Sequence, residues 1–157
     1  MKYSFIVSTV VGTILLAACS GQVSQHPSTN TPSSTPKAQV AEGSYRAGTI
    51  QTYSSAAYAQ ALADGKDVII DFHASWCDIC VKNAPGIRAA FESTNNTNVI
   101  GFIADYDKET ALENQFGVSS QSTLVKVRGS DPTSAKKVGT IGPGPITQQQ
   151  MELFIQS

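Results

Sequence analysis

The sequence has no apolar run long enough to span a bilayer, no block of one charge, and few cysteines and histidines. The apolar stretch Phe5 to Leu16 is shorter than the roughly 20 residues that a transmembrane helix needs. Lys and Arg number 11 against 12 Asp and Glu. With neither a basic stripe nor aromatic–basic interleaving, this balance excludes nucleic acid as a partner. There are 3 cysteines and 2 histidines in 157 residues, a length that allows one domain. Cys77 and Cys80 make half of a zinc site, but two more ligands at suitable spacing are missing. No cysteine follows Cys80, and His26 lies in low-complexity surroundings.

What is present is concentrated in Val68-Ile69-Ile70-Asp71-Phe72-His73-Ala74-Ser75-Trp76-Cys77-Asp78-Ile79-Cys80. Val68 to Phe72 is apolar and rich in β-branched residues apart from one acid, the pattern of a buried central strand. The two cysteines then fall at the start of a helix, where unpaired N–H groups and partial positive charge favour a thiolate over a thiol. At that spacing they can close a small disulfide and reopen it. As a structural staple the bridge would add little, because it closes almost no loop. The pair therefore reads as redox-active.

Asp71 to Cys80, with Pro85 five residues further on, resembles the active-site stretch of the thioredoxin family. Phe116-Gly117-Val118 and Val138-Gly139 also fall where that family carries similar residues. The resemblance covers residues 45–157. It implies an α/β fold, a thioredoxin-like three-layer sandwich with a central mixed β-sheet flanked by helices. It also implies thiol–disulfide exchange with no cofactor and no metal, and contact with substrate through Trp76, Gln121 and Ser122. Cys77, nearer solvent, is expected to be the nucleophile, and Cys80, one turn in and more buried, the resolving thiol. The resemblance assigns the same roles.

Three neighbouring positions modify this expectation. Asp78 in the first turn stabilises the helix but opposes a thiolate beside it, which favours a reductant or electron carrier over a strong oxidant. Asp71, a lone acid in an apolar strand, is expected to have a raised pKa. It reads either as the general base that takes the Cys80 proton or as a hydrogen-bonded core acid. Many relatives place a lysine near this acid on the adjacent strand, and here Ile103 occupies that place. His73 stands where many thioredoxins have a second tryptophan. It could tune Cys77, lend a metal ligand, or only line the site.

The largest departure is Gln121-Ser122-Thr123. The family has a cis-proline where Ser122 falls, and the preceding residue pairs with substrate through its backbone. A cis bond before serine costs about 3–4 kcal/mol, so a trans bond and a reshaped loop are expected. Docking by strand addition would then rest on the backbone of Gln121.

The first 18 residues read as a leader that ends Leu16-Ala17-Ala18-Cys19-Ser20, which resembles the lipobox of bacterial lipoproteins. That resemblance implies a signal peptide over 1–18, diacylglyceryl attachment and N-acylation at Cys19, and a chain anchored in the membrane on the extracytoplasmic side of the bacterial cell envelope. Ser20 is compatible with outer-membrane sorting. The alternative is an ordinary secretory signal cut near the same place. If Cys19 carries lipid, no thiol is left over in an oxidising compartment. Residues 19–43 are rich in Ser, Thr and Pro and hold almost no large apolar side chain, so they read as a disordered tether.

From residue 44 the pattern gives one domain. An extended segment is expected over Tyr45 to Thr52, a helix over Ser55 to Ala63 capped by Ser54, and the central strand from Val68 to His73. The active-site helix follows over Asp78 to Phe91, and another strand over Val99 to Ala104. Asp107 should cap a helix ending near Phe116. Thr123 to Arg128 should form a strand with one face in solvent, Lys136 to Ile141 an edge strand, and Thr147 should cap a last helix packed through Met151, Phe154 and Ile155. The function expected is a membrane-tethered thiol–disulfide oxidoreductase. Its partners would be protein thiols or disulfides of the envelope, with a membrane electron donor. The competing readings are a Cu(I) carrier using Cys77, Cys80 and His73, and a surface lipoprotein that keeps the fold without the activity.

Overall fold

A computed structural model describes residues 45–157. The expected leader, the lipid-bearing Cys19, the tether and His26 lie outside the described residues.

The elements run β1 (Ile50–Thr52), α1 (Ser55–Ala63), β2 (Asp67–His73), α2 (Asp78–Ser93), β3 (Val99–Asp105), α3 (Thr110–Phe116), β4 (Thr123–Arg128), β5 (Lys136–Ile141) and α4 (Gln148–Gln156). The strands form one sheet in the order β1-β3-β2-β4-β5. β1 and β2 both lie parallel to β3, whereas β4 runs antiparallel to β2 and to β5. The sheet is therefore mixed, with β2 at its centre.

Side-chain alternation along β2 sorts the core into two layers. Val68, Ile70 and Phe72 face α1 and α3, where they meet Tyr58, Leu62, Leu112 and Phe116. Ile69 faces the other way, onto Ile87 and Phe91 of α2 and Met151 and Ile155 of α4. The result is a helix–sheet–helix sandwich. Asp71 and His73 share the parity of Ile69 and belong to the α2 side. Burying Ile69, Ile70 and Phe72 contributes roughly 1.5–3 kcal/mol each, enough for this strand to carry one carboxyl out of water.

Local signals fix most of the boundaries. The Ser54 hydroxyl accepts from the Ala57 N–H at 3.1 Å and starts α1. Thr147 and Gln150 form a reciprocal capping box at the start of α4. α2 continues through Pro85, which removes one backbone donor where the preceding turn is exposed. Gly101 on β3 has no room for a side chain, because a Cβ there would overlap the Phe91 ring and Ile50. Its hydrogen is what lets α2 and β1 approach β3 so closely.

Three expectations are corrected. The first strand is shorter than its extended segment, only Ile50–Thr52. β4 does not face solvent on one side, since Thr123 to Val127 are all buried. α4 covers the face that the alternation leaves polar, and Lys126 runs under it to donate to the Ile155 carbonyl at 3.1 Å, with its ammonium 5.6 Å from the Phe154 ring centre. The third concerns Asp107. α3 begins only at Thr110, and Glu109 at its cap makes no side-chain hydrogen bond. Asp107 is occupied elsewhere, as shown below.

Candidate active site

The site forms where β2 ends and α2 begins. The chain leaves the strand at His73, turns through Ala74-Ser75-Trp76, and enters the helix with Cys77 as its N-cap. Cys77 and Cys80 are joined by a disulfide, with their Cα atoms 5.3 Å apart. The Cys77 sulfur also accepts the Cys80 backbone N–H at 3.2 Å. It thus takes the place of a capping oxygen at a helix start, where free amide donors and the helix dipole stabilise sulfur as a thiolate.

Exposure separates the two sulfurs less than expected. Cys77 is 5% exposed and Cys80 2%. Both are buried in the disulfide form, and the distinction between them lies in the N-cap position of Cys77. Asp78 follows in the first helical turn and is exposed.

Trp76 is 60% exposed beside the disulfide. Its indole N–H donates to Asp107 Oδ2 at 2.7 Å, which holds an apolar ring in the open. This contact is why Asp107 does not cap α3. Asp105 takes over the local turn, accepting the Asp107 N–H at 3.0 Å and pairing with Lys108 at 2.6 Å.

The loop before β4 is built without proline. Among the described residues the cis peptide is Gly142–Pro143, so the bond before Ser122 is trans. Ser122 has φ +60°, a left-handed conformation that strains a residue with a side chain. Hydrogen bonds hold it there. Its N–H, the group a proline lacks, donates to the Phe72 carbonyl at 2.9 Å. Its hydroxyl accepts from Asn83 Nδ2 at 3.1 Å, and the same amide donates to the Gly144 carbonyl at 2.8 Å. Asn83 Oδ1 in turn accepts the Ile146 N–H at 3.0 Å. Asn83, buried on α2, therefore latches both loops to the active-site helix. Gly142 is the matching position, since a side chain there would collide with the Ser122 carbonyl. Gln121 is half-buried beside them.

Asp71 is buried on β2, directly opposite Ile103 of β3. The register places Ile103 where the family resemblance put it, and no lysine stands there. Desolvation raises the Asp71 pKa from 3.8 to about 7, and the positive charge of Arg88 on α2 offsets part of the rise. His73 Nδ1 lies 3.9 Å from Asp71 Oδ2, too far for a direct hydrogen bond. Burial, followed by the Arg88 charge, lowers the His73 pKa, and Asp105 opposes that shift. The histidine is thus held neutral, and the contact is not an ion pair. Among the described residues no group of three His, Cys, Asp or Glu side chains is placed to hold a metal ion. The Cys77–Cys80–His73 set proposed for Cu(I) is not gathered.

A disulfide across the first turn of a helix, with its outer sulfur receiving an amide hydrogen bond, performs thiol–disulfide exchange. The protein is a thiol–disulfide oxidoreductase. The thioredoxin family model matches residues 49–152. A thioredoxin of Alicyclobacillus acidocaldarius is 31% identical over 103 residues, covering 65% of this chain and 92% of that protein. The crystal structure of Trxlp from Edwardsiella tarda superposes with a TM-score of 0.58 at 28% identity, over 68% of this chain and 98% of that one. A mutant thioredoxin from Halobacterium salinarum shares the fold, with a TM-score of 0.57 at 20% identity over 72% of this chain and 93% of that one. The chain belongs to the thioredoxin family.

Sequence reasoning placed Cys77, Cys80, Asp71, Trp76, Gln121 and Ser122 at this site, and it missed Asn83, Arg88 and Asp107. Arg88 could have been found from helical spacing, because Val81, Ala84 and Arg88 share one face of α2 and line a cavity with Asp71. Nothing in the sequence marked the partners of Asn83, which lie 39 and 61 residues away.

Two outcomes follow from this geometry. Asn83→Ala should cost about 1–3 kcal/mol of stability. It should also slow exchange with protein disulfides more than with a small-molecule disulfide, because only the former needs the ordered loops. Equal slowing of both would remove the latch from substrate docking. For Asp71 the sign follows from its raised pKa. The folded state keeps a proton that the unfolded state has lost between about pH 4 and about pH 7, so stability is present below that window and falls as pH rises through it. Asp71→Asn should therefore exceed the parent by on the order of a few kcal/mol at pH 8 and lose that advantage at pH 4. Urea unfolding at the two pH values measures this, and a gap independent of pH would refute it.

Proposed function

We propose that this thioredoxin-family protein is tethered by lipid at Cys19 to the extracytoplasmic face of a bacterial membrane and passes electrons to protein disulfides there. The observation that carries the exchange mechanism is the Cys77 sulfur at the helix start, bonded to the Cys80 amide. Cys77 thiolate attacks a substrate disulfide, forms a mixed disulfide and releases the first substrate thiolate. Asp71 carboxylate takes the proton from Cys80. The Cys80 thiolate then attacks the Cys77 sulfur, which closes the internal disulfide and releases the second substrate thiolate. Two electrons have moved to the substrate, and a membrane electron donor restores the dithiol.

Trp76 supplies an exposed apolar platform for the substrate. The half-buried Gln121, just before β4, offers its backbone to an added strand. Support for the tether comes from Leu16-Ala17-Ala18-Cys19 and the Ser/Thr/Pro-rich segment after it. The carboxylate of Asp78 beside Cys77 supports the reducing direction, because it stabilises the thiolate less than a neutral residue would. A reduction potential closer to roughly −270 mV than to roughly −120 mV is expected, and the reverse would make the protein an oxidant.

Trapping tests the mechanism and the location together. Cys80→Ser should accumulate mixed disulfides with envelope proteins, recovered in the membrane fraction and collapsed by reductant. Cys77→Ser should accumulate few. Adding Cys19→Ala to Cys80→Ser should remove the adducts from membranes or block processing. Equal trapping by both single variants would reject the division of labour, and membrane-bound adducts without Cys19 would reject the lipid anchor.

A further inference from the structure

His73 lines two cavities. One, about 220 Å³, has Asp71 in its wall together with Ile103, Val81, Ala84 and Arg88. The other, about 380 Å³, is lined by Ser75, Tyr53, Asp105, Lys108 and Glu109. His73 and Ile103 are the residues common to both, and of the two only the imidazole can carry a proton. Its side chain is 23% exposed against 5% for Asp71, and its Nδ1 lies 3.9 Å from Asp71 Oδ2, a separation that has to shorten for proton transfer.

A base in this position meets a physical difficulty. The proton it removes from Cys80 has to leave before the carboxylate can act again, and the carboxyl is almost fully shut away from water. The neighbouring charges are Arg88 from α2, in the wall of the first cavity, and Asp105, Lys108 and Glu109, at the end of β3 and just past it, in the wall of the second. A proton on the imidazole is repelled by Arg88 and attracted by Asp105, which favours its release on the side of the second cavity.

We propose that His73 is the proton relay between Asp71 and solvent, a positioning residue that acts through the carboxyl and touches neither sulfur nor substrate. The inference rests on the reading of Asp71 as the base. During oxidation of the dithiol, the protonated Asp71 gives its proton to His73 Nδ1, and the imidazolium releases the Nε2 proton to water in the second cavity. This leaves a neutral ring with its hydrogen on Nδ1. During reduction by the electron donor the path reverses: Nδ1–H returns a proton to the Asp71 carboxylate, Asp71 protonates the departing Cys80 thiolate, and Nε2 takes a proton from water. Each complete redox cycle therefore restores the starting tautomer, with one proton out and one in. Burial raises the carboxyl to about 7 and lowers the imidazole from its ordinary 6.5, so the proton rests on the carboxyl and the ring carries it only in passing.

The test uses Trp76, the sole tryptophan, as a fluorescence reporter of disulfide closure in single-turnover reactions of the purified protein with a disulfide substrate. His73→Ala should slow closure about tenfold or more at pH 7, and imidazole in the buffer should restore the rate in a concentration-dependent way. Asp71→Asn should be slow and should not respond to imidazole, and the double variant should be no slower than Asp71→Asn. A slow His73→Ala protein that imidazole fails to rescue would overturn the relay, since packing loss alone gives that result. A slow Asp71→Asn beside a parental-rate His73→Ala would overturn the relay while sparing the base. A parental-rate Asp71→Asn would overturn the base and the relay with it.

Discussion

A carboxyl group held out of water between β2 and α2 constrains everything around it. Ionised, Asp71 would lose the hydration that makes a carboxylate stable, and the charge of Arg88 offsets part of that cost. The strand tolerates it because its neighbours Ile69, Ile70 and Phe72 leave water completely. The apolar burial that builds the sheet thus also raises the basicity of this one group towards neutrality, where a proton acceptor works best. Packing and chemistry are the same arrangement at this residue, so a substitution that loosens α2 over β2 would also return Asp71 to an ordinary acid.

The helix that covers Asp71 serves the sulfurs as well. Its first turn presents the Cys80 amide to the Cys77 sulfur, and its second turn sends Asn83 to the loops around Ser122 and Gly144. That second connection substitutes for rigidity that a proline would otherwise supply. Ser122 is held in a left-handed conformation by hydrogen bonds instead of by a ring, and one of them uses its own N–H. A hydrogen-bonded loop can be displaced at lower cost than a covalently restricted one. This fits the strand addition proposed at Gln121.

The sequence carried the local part of this picture. Buried β2, the caps at Ser54 and Thr147, and the cysteine pair after a strand are each decided within a few residues, and each was legible. The Asp71–Ile103 register followed from strand lengths and the family resemblance. The failures lie where distant elements meet. β4 alternates like a half-exposed strand, and only the packing of α4 over Lys126 buries its polar face. Asp107 has the chemistry of a helix cap, but Trp76 competes for its carboxylate from 31 residues away. Asn83 is one polar residue among many in α2 until two remote loops close on it. His73 was visible as a site residue, but its relation to Asp71 and to two separate cavities depends on where the ring sits in space.

The most direct test is to follow the Asp71 carboxyl itself. Carbon-detected NMR titration of the labelled side chain, in the reduced protein and against Asp71→Asn for assignment, reads its protonation without passing through kinetics. A midpoint near 7 is the result the account predicts. A midpoint near the ordinary carboxylate value of about 4 would show an ionised carboxyl in water's reach, and would contradict the buried base on which the mechanism depends.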